Sequence, residues 1–261
     1  MSDHVEARAW QTVLDRIESD LLTGALSPGD HLPAERTLAA DLGVGRSSVR
    51  EALRVLEVMG LIRTQTGSGP QSGAIIIARP SGAMSALLRL QVAARGFAVD
   101  DIVATRLVLE SAVSTQLATR IRAAAIERPG DGSAPSAPDL VEVHELLAAM
   151  DEPDIADAPA EFLPLDQAFH LALAAASGNQ VIAATMAGLR ASIEAYVLEG
   201  ASFLPDWATT SRRLRAEHHA VVEAITAGDA ASAESRMRDH IETYHSETSR
   251  ARAAHTAGAG G

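Results

Sequence analysis

Apolar positions recur along this chain mostly at helical spacing, with one short interruption where the rhythm turns extended. Trp10, Val13, Leu14, Ile17 and Leu21 stand three and four residues apart, which predicts an amphipathic helix ending before Gly24 and Pro28-Gly29. A second helix is predicted to open at Pro33, whose missing N–H falls among the unpaired donors of a first turn, with Glu35 placed where the helix dipole favours a carboxylate. It runs through Leu38, Ala39 and Leu42 to Gly43, a residue free to take the positive φ of a tight turn. A third helix begins near Arg46 to Ser48, with Ser48 and Glu51 fitting a capping box and Val49, Leu53 and Leu56 facing inward. The spacing of Ala39, Gly43 and Val49 suits two helices packed closely across a short turn. After Gly60 the pattern becomes extended: Leu61 to Gln65 and Ala74 to Ala78 flank a stretch rich in glycine and serine, which predicts a β-hairpin.

Beyond Arg79-Pro80-Ser81-Gly82 the helical rhythm returns and persists. Helices are predicted over about Ala83 to Arg95, Val99 to Ala124, Leu140 to Met150, Glu161 to Ser177, Gln180 to Glu199, Asp206 to Ala227 and Ala230 to Arg252. Ile126 to Pro138, with its Pro, Gly and Ser, reads as a mobile loop, and the Ala/Gly-rich residues 253–261 as a disordered tail. The predicted fold is mainly α. Residues 1–79 form a winged helix-turn-helix with a small hairpin wing, and residues 80–252 an all-α helical bundle.

Composition fits this division. A chain of 261 residues exceeds the usual single-domain size. Cysteine is absent, which excludes disulfides and thiolate metal sites. The N-terminus lacks an apolar signal core and no uninterrupted apolar run reaches membrane-spanning length, so a soluble, cytoplasmic protein with no membrane partner is expected. The net charge of −12 opposes nucleic-acid binding by the chain as a whole, but the charge is unevenly spread. From His31 to Arg79 six arginines face four acidic residues, and most of the acidic excess lies beyond Pro80. Arg46, Ser47, Arg50 and Arg54 share the outer face of the third helix, where side chains can reach phosphates and guanine edges once the start of such a helix enters a major groove.

In the bundle, Asp166 and His170 are four residues apart and share one helix face, so both can reach one ion. His218 and His240, on the sixth and seventh predicted bundle helices, could complete a site of three histidines and one carboxylate, suited to zinc, nickel or manganese. On spacing alone the alternative stays open, since isolated helical histidines are commonly surface or satisfied core residues. His219 lies one helical step from His218 and is expected to be exposed.

The chain resembles the GntR family of bacterial transcription regulators. The resemblance is carried by Leu32-Pro33-Ala34-Glu35-Arg36, Leu38-Ala39, Leu42 to Leu53 and Gly60-Leu61-Ile62. It implies that Arg36, Arg46 and Arg50 contact an operator and that a wing glycine approaches the minor groove. With Ser47 and Ser48 at the start of the third helix, and Gly67 and Gly69 in the wing, these are the candidate DNA-binding residues. Gly45 departs from the family's usual serine, and the wing is longer than its common glycine-x-glycine form.

Residues 83–250 resemble the FCD ligand-binding domain of the FadR-type branch, through Arg106 to Glu110, Leu165 to His170, Ser177-Gly178-Asn179, Glu217-His218, Ala224-Ile225, Gly228-Asp229 and Met237 to His240. That resemblance places metal ligands on Asp166, His170, His218 and His240, beside a small carboxylate effector. Arg106 is the candidate effector clamp, because a guanidinium grips a carboxylate in bidentate fashion; an intrahelical pair with Glu110 is an equal reading. Asn179 is a second candidate for the effector, although Ser177-Gly178-Asn179 also reads as a plain helix end. The function implied is a non-enzymatic, homodimeric, effector-responsive regulator, usually a repressor, on a palindromic operator of double-stranded DNA. Two alternatives remain at this point: a metal-dependent hydrolase fused to a DNA-binding domain, and a direct metal sensor.

Overall fold

The computed structural model describes residues 2–65, 73–77, 81–94, 96–126 and 137–259. These fall into two compact units, Met1–Ala86 and Leu87–Gly261. The first contains α1 (Ser2–Leu22), α2 (Glu35–Leu42), α3 (Arg46–Val58) and an antiparallel pair, β1 (Ile62–Gln65) and β2 (Gly73–Ile76), in register Ile62 to Ile76 and Gln65 to Gly73. Its core draws Val13 and Ile17 from α1, Leu38 and Ala39 from α2, Val49, Ala52, Leu53 and Leu56 from α3, and Ile62, Ala74 and Ile76 from the hairpin. Each fully buried aliphatic side chain there contributes about 1.5–3 kcal/mol of transfer free energy, which holds the two short helices against α1.

Two helix starts differ from the sequence expectation. Helix α2 begins at Glu35 rather than Pro33, because the preceding segment is drawn into the sheet: the Leu32 N–H donates to Ala74 O at 2.8 Å, and His31 bridges Ile75. A residue before proline favours extended backbone, so Leu32 suits that pairing. The capping box on Ser48 and Glu51 does not form. Gly45 occupies the N-cap without a side-chain bond, and Ser48 lies inside the first turn of α3, buried at 5% exposure. Gly43 ends α2 at φ +64°, as the turn requires.

The second unit is helical throughout its described residues. It consists of α4 (Ser81–Ala93), α5 (Val99–Ile126), α6 (Val141–Asp151), α7 (Pro153–Ala156), α8 (Pro159–Ala176), α9 (Gln180–Ser202), α10 (Trp207–Thr226) and α11 (Ala230–Ala259). The single turn α7 is the one element the pattern did not announce. Helix α11 continues seven residues past Arg252, where a disordered tail is expected. Alanine is the strongest helix former, and the extension is anchored: the Arg252 guanidinium lies 4.1 Å from the Tyr196 ring centroid, and His255 packs on Phe203 with centroids 4.9 Å apart. Residues 127–136 of the expected mobile loop, the wing glycines Gly67 and Gly69, and the connection at 78–80 lie outside the described residues.

Helix α9, 23 residues long, is long and apolar enough by composition to cross a membrane, although Arg190, Glu194 and Glu199 interrupt it, so it is not the uninterrupted apolar run that the sequence was expected to lack. Here it is a bundle helix. Met186, Leu189 and Ile193 lie in a core cluster with Ile102 of α5 and Ala174 of α8, and Arg190 makes its ion pairs inside the protein.

Candidate metal centre and DNA-reading surface

Asp166 and His170 project from one face of α8, His218 from α10 and His240 from α11. One candidate ligand atom from each lies within 4.8 Å of the others, and all three histidines are buried. His170 Nε2 and His240 Nε2 face each other at 3.2 Å, and His218 Nε2 lies 3.1 Å from Asp166 Oδ1. Two nitrogens bound to one tetrahedral zinc at about 2.0–2.1 Å would stand about 3.3 Å apart, so this spacing fits a shared ion.

The surrounding groups orient the rings. His170 Nδ1 is held by Glu110 Oε2 of α5, and His240 Nδ1 by Glu217 Oε2 at 2.9 Å, which turns both Nε2 atoms inward. His218 Nδ1 has no hydrogen-bond partner among the described residues, and its Nε2 faces the Asp166 carboxylate. Burial pushes His218 and His240 below the usual histidine range, favouring the neutral form that ligates a metal. Burial alone would raise Glu110, but Arg190, His170 and Arg106 outweigh it and hold the carboxyl well below its ordinary value. Asp166 behaves alike: burial is outweighed by bonds to His170 and His218 and by the charge of Arg190. The donor set therefore fits a divalent cation on geometry, protonation and outer support.

Arg190 is the group that sequence reasoning missed. At 5% exposure it spans two carboxylates, with Nη1 donating to Asp166 Oδ2 and Nη2 to Glu110 Oε2, both at 3.3 Å. One guanidinium thus braces a candidate ligand directly and His170 through Glu110. Its signal was a charge set in the long apolar stretch of α9. Glu217 had no comparable signal, because only helix packing brings α10 and α11 together.

A cavity of about 50 Å³ opens beside the cluster, walled by Asp166, His170, His240 and Arg106 together with Tyr244 and apolar side chains such as Leu163 and Ile193. At about 10–15 Å³ per enclosed water, it suits a molecule of a few heavy atoms. Arg106 makes the intrahelical bond, Nε to Glu110 Oε1 at 2.8 Å, yet its Nη atoms have no partner among the described residues. The two readings of Arg106 are therefore compatible. Asn179 does not line this cavity. Its Oδ1 accepts from the Val181 and Ile182 N–H groups at 3.1 Å each, so it caps α9 instead of meeting an effector. His219 is exposed and paired with Asp151 at 2.8 Å.

On the N-terminal unit, Arg36, Arg46, Ser47 and Arg50 are all exposed. Glu35 sits 3.3 Å from Arg50 and 4.0 Å from Arg46, exposed pairs that yield readily to a phosphate. Ser48, in the first turn of α3, is buried at 5% exposure, unlike Arg46, Ser47 and Arg50 around it.

Residues 10–70 match the family described as bacterial regulatory proteins of the gntR family, and residues 133–243 match the FCD domain. The chain is 30% identical over 243 residues to the putative L-lactate dehydrogenase operon regulatory protein of Escherichia coli (strain K12), covering 93% of this chain and 87% of that one. The chain belongs to the GntR family. A second relative, the HTH-type transcriptional regulator LutR of Bacillus subtilis (strain 168), is 31% identical over 219 residues, 84% of this chain and 91% of the relative. The solved structure of Streptococcus agalactiae GntR shares the fold, with a TM-score of 0.56 at 24% identity over 91% of this chain and 99% of that one. This GntR regulator is therefore a DNA-binding transcription regulator with a C-terminal FCD domain, not an enzyme, and the fused-hydrolase alternative falls.

Proposed function

We propose that this GntR regulator is a cytoplasmic homodimeric repressor on a palindromic operator, controlled by a small carboxylate bound beside a divalent metal, zinc before nickel or manganese. The observation that carries the reading is the cavity itself. Its lining holds Asp166, His170 and His240 of the four-ligand cluster together with Arg106, whose Nη atoms have no partner among the described residues. Asp166, His170, His218 and His240 would hold the ion, which supplies positive charge to a site otherwise balanced between its carboxylates and arginines. Arg106 orients the carboxylate, while Leu163 and Ile193 receive the carbon skeleton. A relative regulates an L-lactate dehydrogenase operon by name, so monocarboxylates of lactate's size are the first to test.

Arg36, Arg46, Ser47 and Arg50 read the operator, with Gly67 and Gly69 serving the wing. Effector and DNA each alter affinity for the other by one and the same factor, since their coupling is reciprocal. Arg46→Ala and Arg50→Ala are each expected to weaken binding to a duplex selected from a random library by about 1–3 kcal/mol, measured by fluorescence anisotropy. Unchanged affinity in both variants would remove α3 from the groove.

The effector reading is tested by thermal shift of zinc-loaded protein against a panel of organic acids, because a ligand of the native state raises its apparent stability. Small carboxylates are expected to raise Tm, and Arg106→Ala to lose that rise while keeping its zinc. If no acid moves Tm but zinc alone changes operator affinity, the protein is a metal sensor instead.

A further inference from the structure

Glu35 opens α2, and its half-buried side chain reaches across the turn to the start of α3, where Arg46 and Arg50 stand one helical turn apart on a single face. Its Oε2 lies 3.3 Å from Arg50 Nε and 4.0 Å from Arg46 Nη2. Among the described residues no other carboxylate pairs with either arginine, and the neighbouring Arg36 has no acidic partner. A carboxylate in a first turn favours the helix dipole, but this one also faces two side chains assigned to the operator. A negative charge on a surface that meets phosphates opposes binding to DNA of any sequence. The geometry at Arg50 shows where that opposition is not felt. Glu35 holds Nε, on the side of the guanidinium, and the two Nη groups have no partner among the described residues. Those two groups form the end-on fork that matches guanine O6 and N7.

We propose that Glu35 determines specificity in DNA reading: it occupies Arg46 and Arg50 in the free protein as a phosphate would, so that non-specific DNA must displace it while a well-placed guanine need not. This rests on the reading of α3 as the helix that enters the groove. Non-specific duplex merely exchanges one anion for another at two exposed arginines, which changes the free energy little. A guanine instead adds two hydrogen bonds at the Arg50 fork. Glu35 meanwhile keeps Nε and holds the fork in place, so less rotamer freedom remains to be lost on binding.

The test compares full-length natural protein with Glu35→Gln, Arg46→Ala, Arg50→Ala and the Glu35→Gln/Arg50→Ala double variant. Fluorescence anisotropy gives their affinities for a duplex selected from a random library and for a scrambled duplex over a series of salt concentrations. Glu35→Gln keeps the shape of the side chain and removes its charge. It is expected to bind the scrambled duplex about three- to tenfold more tightly, with a salt slope steeper by about one, while affinity for the selected duplex changes little. The ratio of the two affinities then falls by the same factor. In the Arg50→Ala background the same change should lower that ratio by less, because the two side chains act as a coupled pair. A purely dipolar role for Glu35 would lower Tm and leave the ratio as it was. An unchanged ratio in Glu35→Gln, an equal gain on both duplexes, or a full effect surviving in Arg50→Ala overturns the role of Glu35 alone. If Arg46→Ala and Arg50→Ala each leave the natural ratio unaltered, the placement of α3 in the groove falls and this role falls with it.

Discussion

Protein carrying His218→Ala or His240→Ala is expected to bind zinc more than about 100-fold less tightly than the natural chain, since loss of an outer partner alone costs about 10–100-fold. Both side chains are buried and offer an inward nitrogen to the cluster: His240 Nε2 faces His170 Nε2 at 3.2 Å, and His218 Nε2 lies 3.1 Å from Asp166. Response to organic acids should vanish with the metal. Operator binding should persist, because the winged helix is built on its own core of α1, α2, α3 and the hairpin. Competition with a chelator gives the affinity, elemental analysis the occupancy, and denaturation of metal-free protein reports any loss from the cavity that each truncation leaves. Full occupancy in both variants after dialysis against chelator would refute the ligand assignment.

Arg190→Met is expected to destabilise the metal-free protein by about 3–5 kcal/mol, the cost of leaving buried charge without its partner. Methionine fills much of the volume but cannot offset Glu110 and Asp166, whose carboxyls owe part of their depressed proton affinity to this guanidinium. Saturating zinc should return part of the loss, because a divalent ion supplies compensating charge at Asp166. Urea denaturation with and without zinc measures both quantities. An unchanged midpoint in the metal-free variant would show that Arg106 and the histidines suffice to balance the two carboxylates.

Much of this architecture could be read along the chain because its signals are local. Helical periodicity located every long helix of the bundle to within a few residues at most boundaries, and Gly43 marked the turn between α2 and α3 that its φ of +64° realises. Errors arose where a distant segment intervened. Leu32 is drawn into the sheet by Ala74, which delays α2 past Pro33, and the contacts of Arg252 with the Tyr196 ring and of His255 with Phe203 carry α11 through residues whose composition suggested disorder. Ser48 does not cap α3, because the helix starts early enough to place it inside the first turn.

Sequence by itself determined the helix-turn-helix with its arginine face, the helical character of the second unit and the presence of an aspartate and three histidines suited to a metal, since each depends on side-chain chemistry and spacing within a single element. The tertiary structure decided which of these groups meet. Whether His170, His218 and His240 converge depends on how α8, α10 and α11 pack, and no spacing along one helix encodes that. The same packing placed Arg190 between Glu110 and Asp166 and, among the described residues, left the Arg106 Nη atoms and the buried Tyr244 hydroxyl without a partner. It also reduced Asn179 to a cap, because a side chain that satisfies two first-turn N–H groups of α9 is held at the helix end, away from the cavity.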